Sequence, residues 1–295
     1  MRQDIYQQEV LAKCEALIKS TIWPTQDKIR PRAWLNNFEE SDKGIASFLL
    51  DKFVFFSNHY TDRLLHKAYN DLVSHFEGIE EADLFSLFGE IKVAPLEGEQ
   101  PNPSDSGNLL CRKMRQNFHF PEANIVTPAQ AVTIADNGGF ILFVDDFIGS
   151  GDQFLETWRR DYLETYPKAF CHVSLESGPT YVVLALVCTE SALRRINAEL
   201  GHVSVFSCHT VDEHSSVFNL RDSKYTIAEI DAFLEKYCDR LTPQEEYIRN
   251  DREFLKYGYH KLGLLLGFEH SVPDATLPIF WSTGTADWSP LYERT

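Results

Sequence analysis

The chain has 295 residues, of which 43% are hydrophobic and 13% aromatic, enough apolar side chain for a packed core and far too much for a disordered segment. Lys and Arg number 28 against 44 Asp and Glu, a formal net charge of -16 whose field repels phosphate backbones, so direct nucleic-acid binding is disfavoured unless basic residues cluster locally. No apolar run approaches the roughly 18 residues that span a bilayer, and the opening MRQDIYQQEV lacks the apolar core of a secretion signal, which points to a cytoplasmic protein with no membrane partner.

In chain order, Tyr6, Val10, Cys14 and Leu17 recur at helical spacing with Leu11 and Ile18 beside them, and predict an amphipathic helix over Ile5–Ile18. Pro24 and Pro31 break the next segment. Ser41 is the expected amino cap of a helix carrying Ile45, Phe48, Leu49, Lys52 and Phe53, and another periodic run extends from His59 to Phe76. Residues 1–80 therefore read as a helical extension packed on the core, since no Gly/Ser/Pro-rich linker follows them.

From Leu87 the texture changes. Ile91 to Ala94 reads as a short strand, and the Pro/Gly-rich loop from Pro95 to Asn108 leads into helical spacing through Leu109, Leu110 and Met114. Ser106, Gly107 and Asn108 open that helix, and Arg112, Lys113 and Arg115 form the densest basic cluster of an acidic chain. Taken alone, the cluster is as well explained by a solvated helix face as by a ligand.

The stretch from Phe140 to Trp158, FILFVDDFIGSGDQFLETW, speaks most directly about chemistry. Phe140 to Val144 has the length and composition of a buried parallel strand. A lone buried carboxylate costs several kcal/mol, so Asp145 and Asp146 are expected to mark the strand's carboxyl edge, where open α/β sheets bind ligands. Gly149, Ser150 and Gly151 form a short loop whose amides can approach an anion, and Asp152 is expected to cap the helix that follows. A receiver domain carries its acidic pair near the start of the chain. A haloacid-dehalogenase-type phosphatase needs its second acid where Phe147 stands. A strand ending in a solvated turn with no ligand remains open.

Tyr181 to Cys188 reads as a second buried strand, Thr189 as the cap of a helix through Leu193, Ile196 and Leu200, and Val203, Val205 and Phe206 as a further strand. The alternation from Ile91 to Phe206 predicts a parallel α/β sheet with right-handed crossovers, in a core of residues 87–225. Six cysteines are scattered without ligand spacing, and Cys208 with His209 and His214 lacks a second cysteine pair, so no metal is assigned to the protein's own side chains. Ile227–Tyr237 and Glu245–Tyr257 read as helices, the second capped by Thr242, and residues 226–295 as C-terminal helices and cover of the same domain. The stretch Gly267 to Arg294 is too rich in Pro and Trp for a helix, and its aromatics Phe280, Trp281, Trp288 and Tyr292 need covering.

The order of apolar strand, two acids and small Gly/Ser-rich turn resembles the phosphoribosyl pyrophosphate motif of the type I phosphoribosyltransferases. The resemblance implies that sheet flanked by helices, with Asp145 and Asp146 on the ribose diol as the catalytic pair, and Gly149, Ser150, Gly151 and Asp152 around the 5'-phosphate. It also implies pyrophosphate near Ser106, Gly107, Arg112 and Lys113, with magnesium arriving on the phosphorylated ligand. FEH, PDATLPIFW and WSPLYER, with VDDFIGSG and ASFLLDKFVFFS, are similar to a conflict-system-associated branch of phosphoribosyltransferase-like proteins, encoded beside antiphage elements that include retron operons. That branch implies a defence effector acting on phosphoribosyl pyrophosphate or a nucleotide, with transfer or hydrolysis at ribose C1. It equally allows an inactive nucleotide-sensing module that regulates a reverse transcriptase or winged-helix protein partner. Phe280 or Trp281 is expected to stack on a nucleobase, unless the tail serves only as cover. The oligomeric state, a homo-oligomer included, is left open.

Overall fold

The N-terminal periodicity yields helices α1 (Arg2–Lys19), α2 (Pro31–Leu35) and α3 (Lys43–Lys52). The computed structural model describes residues 2–75, 89–98, 101–220 and 223–293. The expected helix end at Phe76, the change of texture at Leu87 and Arg294 of the tail lie outside the described residues. Contacts divide the chain into two compact units, Met1–Asp62 with Asp212–Thr295, and Arg63–Val211.

In the first unit, α3 starts from Asp42 and not from the expected cap Ser41, with no side-chain cap bond. It also stops at Lys52, because Phe53, expected within the helix, turns extended and leads into strand β1 (Val54–Phe56), which was not anticipated. Helix α4 (Asn58–His75) follows, and its first amides are met by Ser57 Oγ, accepting from Tyr60 N at 3.2 Å, and by Glu269 Oε2, accepting from Asn58 N at 2.8 Å.

The second unit carries the sheet. Strand β2 (Lys92–Pro95) is followed by α5 (Ser106–Phe118), α6 (Pro128–Asp136), β3 (Phe140–Ile148), α7 (Asp152–Arg159), β4 (Thr180–Thr189), α8 (Glu190–Glu199) and β5 (Val203–Val211). The strands are all parallel in the order β2-β3-β4-β5, the α/β class that the alternation predicts. Ala131, Val132 and Ala135 of α6, Phe154 and Trp158 of α7, and Ala192 and Ile196 of α8 share one buried cluster with Ile141, Phe143, Tyr181 and Val183 of the strands. Helix α6 was not anticipated, yet its start carries a legible signal. Thr127 and Gln130 form a reciprocal capping box, with Pro128 at the first helical position.

The C-terminal segment returns to the first unit through α9 (Ile227–Cys238), α10 (Glu246–Asn250), α11 (Arg252–Tyr257), β6 (Leu266–Phe268) and the single turn α12 (Pro278–Trp281). Thr242 does not cap a long helix. Its amide donates to Thr283 O at 2.7 Å beside the Leu241–Gly284 bridge, and Asp251 both breaks the expected helix and caps α11. Strand β6 pairs in parallel with β1, Val54 opposite Leu266 and Phe56 opposite Phe268. Among the described residues no helix is long and apolar enough to cross a membrane.

Helix α5 is seated by a glycine. A Cβ on Gly107 would lie 2.6 Å from Leu96 O and 3.0 Å from Leu96 N, so the first turn of α5 rests directly on the backbone that leaves β2. Alanine there gains about 1 kcal/mol of helix propensity but forces backbone apart. Gly107→Ala is expected to lower stability by about 1–2 kcal/mol net, read as a lower denaturant midpoint at unchanged slope; a stabilised variant would mean that α5 does not rest on β2 in this way.

Candidate functional site

The paired acids lie within the paired part of β3, which continues past Val144 to Ile148, with Asp145 opposite Ala185 and Ile148 opposite Cys188. The acids do not end the strand as expected. Both are buried, Asp145 at 1% and Asp146 at 4% exposure. Neutralisation makes this tolerable: burial first, and then the neighbouring Asp146 charge, raises the Asp145 pKa well above the usual carboxylate range and favours its neutral form. Asp145 Oδ1 accepts from Ser106 Oγ at 2.7 Å and from the Asp146 amide at 2.9 Å. Its other oxygen, Oδ2, is buried with no hydrogen-bond partner among the described residues. Burial and the adjacent Asp145 also push the Cys111 thiol up to about 12, so that sulfur is an inert packing group.

Ser106 is thus brought to the acids by the seat of α5 on β2. Arg112 lies on the exposed side of α5, about 9 Å further along the axis than Ser106, Lys113 is half-buried, and Arg115 is paired with Glu122 at 3.4 Å.

The Gly149–Gly151 loop follows β3 directly and, unlike the acids, is half-exposed at Gly149 and Ser150. Gly151 occupies the cap position of α7 with φ +84°, a left-handed conformation that favours glycine. Asp152 is therefore the first helical residue and not the cap. Its carboxylate accepts from Ser150 Oγ at 3.0 Å and pairs with Arg195 Nη1 at 2.5 Å, while its amide donates back to Ser150 Oγ at 3.2 Å. The carboxylate beside the loop is already paired with a cation.

Two arginines of this region escape sequence reasoning. Arg160, just after α7, donates to Glu97 Oε2 at 3.1 Å and to Gly98 O at 2.7 Å, fastening the segment that leaves β2 toward Ser106. Arg195 reads in the sequence as an ordinary helix-surface partner of Glu199, which it also contacts at 3.2 Å. Neither spacing announces a loop contact.

Phe280 and Trp281, expected beside a nucleobase, are core residues of the first unit. Phe280 is stacked on Trp34 with ring centroids 5.0 Å apart and lies 4.5 Å from the Phe53 ring, and Trp281 Nε1 donates to Thr276 O at 3.1 Å. Both are buried, and the Phe280 ring is packed between those N-terminal aromatics, so as placed they do not offer a face to a base.

The PRTase-CE family model matches residues 31–294. The chain belongs to this family. It is a phosphoribosyltransferase-like protein, and its parallel sheet flanked by helices is the corresponding fold class. Comparison with curated protein sequences returns no match. Among solved structures the family member is similar to the orotate phosphoribosyltransferase from Aeropyrum pernix, at 12% identity over 52% of this chain and 71% of that one, with a TM-score of 0.28. It is also similar to the AQ2163 protein from Aquifex aeolicus, at 12% identity over 67% and 88% of the two chains, with a TM-score of 0.31.

An acid whose folded pKa is raised opposes folding once pH climbs above its unfolded value. The cost begins near pH 4, where the unfolded carboxyl ionises, and grows until the folded group ionises as well. Asp145→Asn keeps the acceptor for Ser106 and removes the ionisable proton. Its melting temperature is expected to match that of the wild type near pH 4 and to exceed it increasingly toward pH 7; a gap that does not widen with pH would show that Asp145 is ionised in the fold.

Proposed function

We propose that the chain binds a phosphorylated ribose, either phosphoribosyl pyrophosphate or a nucleotide, with ribose hydroxyls at Asp145 and Asp146 and the 5'-phosphate on the Gly149–Gly151 loop. The observation that carries this reading is Asp145 Oδ2, a buried polar atom without a partner among the described residues. Leaving such an atom unmet costs about 1–3 kcal/mol, and a ribose hydroxyl is a group of the right kind to meet it. The half-exposed loop offers backbone amides to the phosphate, and the α5 amino terminus at Ser106 and Gly107 favours the charge of a pyrophosphate. Arg112 and Lys113 add positive charge on the same helix.

As an enzyme, the chain transfers or hydrolyses at ribose C1, with the acids fixing the ribose while positive charge develops at that carbon. Among the described residues no group of three or more His, Cys, Asp or Glu is placed to hold a metal, but magnesium on a pyrophosphate takes most of its ligands from phosphate and water. Magnesium carried in on the phosphorylated ligand would neutralise the leaving group. The family resemblance supports an effector role in cytoplasmic antiphage defence, with protein partners such as a reverse transcriptase or winged-helix protein and with self-association open.

A specific observation also favours the second reading, a nucleotide-sensing module without turnover. Both acids are enclosed, and one favours its neutral form, which suits tight holding of a diol better than repeated exchange of substrate. Incubation with phosphoribosyl pyrophosphate and magnesium, with and without a mixture of nucleobases as acceptors, followed by phosphorus NMR and by thermal shift, separates the two. Pyrophosphate release by the wild type and not by Asp145→Asn/Asp146→Asn is the enzyme's signature. Stabilisation without release identifies the sensor, and no response to this ligand or to a nucleotide pool would remove the acids as a ligand site.

A further inference from the structure

We infer that Thr189 and Arg195 are positioning residues of the phosphate loop, turning two of its backbone amides toward the anion; this rests on the phosphorylated-ribose reading above. Thr189, the last residue of β4, donates from Oγ1 to Gly149 O, and Arg195 of α8 donates from Nη1 to Ser150 O at 3.1 Å. In a planar trans peptide the carbonyl and the following N–H point in opposite directions. With the carbonyls of Gly149 and Ser150 both drawn to α8, the amides of Ser150 and Gly151 are turned away from it. Neither amide donates to another backbone group among the described residues.

The anchors are themselves fixed. The Thr189 hydroxyl accepts from the Ala192 amide at 3.1 Å as the cap of α8 and contacts Ser191 Oγ at 2.9 Å. Arg195 is held by Glu199. Gly151 packs onto the same helix, since a Cβ there would lie 3.6 Å from Ile196 Cγ1 and 3.8 Å from Ala192. Arg195 has a second effect through its pairing with Asp152, the carboxylate nearest the loop. One guanidinium therefore orients a peptide for an anion and neutralises the acid that would repel that anion.

The test measures, by calorimetry on the full chain, the affinity for ribose 5-phosphate relative to ribose. Arg195→Ala is expected to weaken the phosphate-dependent part by roughly ten- to a hundred-fold, the loss typical of a hydrogen bond involving a charged group. Arg195→Lys should restore part of it. Adding Asp152→Asn to Arg195→Ala should also recover part, because it removes the unpaired carboxylate, and a merely structural role for Arg195 predicts no such recovery. Thr189→Val should weaken the same part and Thr189→Ser should retain it, with far-UV circular dichroism reporting the fold of each variant. If the wild type binds ribose 5-phosphate over ribose and folded Arg195→Ala and Thr189→Val bind it within about twofold of wild type, the positioning role is overturned and the phosphate loop stands. If the wild type itself shows no preference for the phosphorylated sugar, both fall.

Discussion

A carboxyl group kept away from water inside β3 sets the terms for everything around it. Asp145 draws two donors to one oxygen, the hydroxyl of Ser106 from α5 and the amide of its own neighbour Asp146. Neither donor is charged, so they cannot recover the cost of burying an anion, and the neutral form prevails. The bond from Ser106 has geometric weight as well. It ties the first turn of α5 to β3, and the turn can come that close only because Gly107 lets it rest on the backbone after β2. Charge state, helix position and the unmet oxygen are thus parts of one arrangement.

Much of this was legible in the sequence, and the failures have physical causes. The apolar run Phe140 to Val144 and the glycine loop were readable because burial and backbone freedom are local demands. The end of the strand was misread by treating Asp145 as an obligate anion; a carboxyl that keeps its proton can stay inside a sheet. β1 could not be found from Phe53 to Phe56, whose composition suits a helix or a strand equally, because the choice is made by pairing with β6 near the other end of the chain. The tail's need for cover was readable, but not its partners: Trp34 donates to Ile279 O from 245 positions away. Arg195 looked like one half of an i,i+4 pair, and its contact with the loop depends on the β4–β5 crossover placing α8 beside Ser150.

The site is also graded in access. The acids are enclosed while the glycine loop reaches the surface, so in the proposed reading a ligand meets the loop through its phosphate before its ribose reaches Asp145. Steps of that kind separate capture from commitment, and they suit a protein that must respond to a ligand as much as one that must consume it.

The division of the chain has a consequence for how it is made. The sheet-bearing unit is one continuous stretch, whereas the other unit needs both Met1–Asp62 and Asp212–Thr295. During synthesis the strands β2 to β5 can therefore assemble as soon as they emerge, while β1 and the aromatics around Trp34 wait for β6 and Phe280. Until then the N-terminal helices expose apolar faces that only the last part of the chain can cover. The half of the molecule that carries the paired acids is the early-folding half, and the vulnerable interval of its biogenesis belongs to the other.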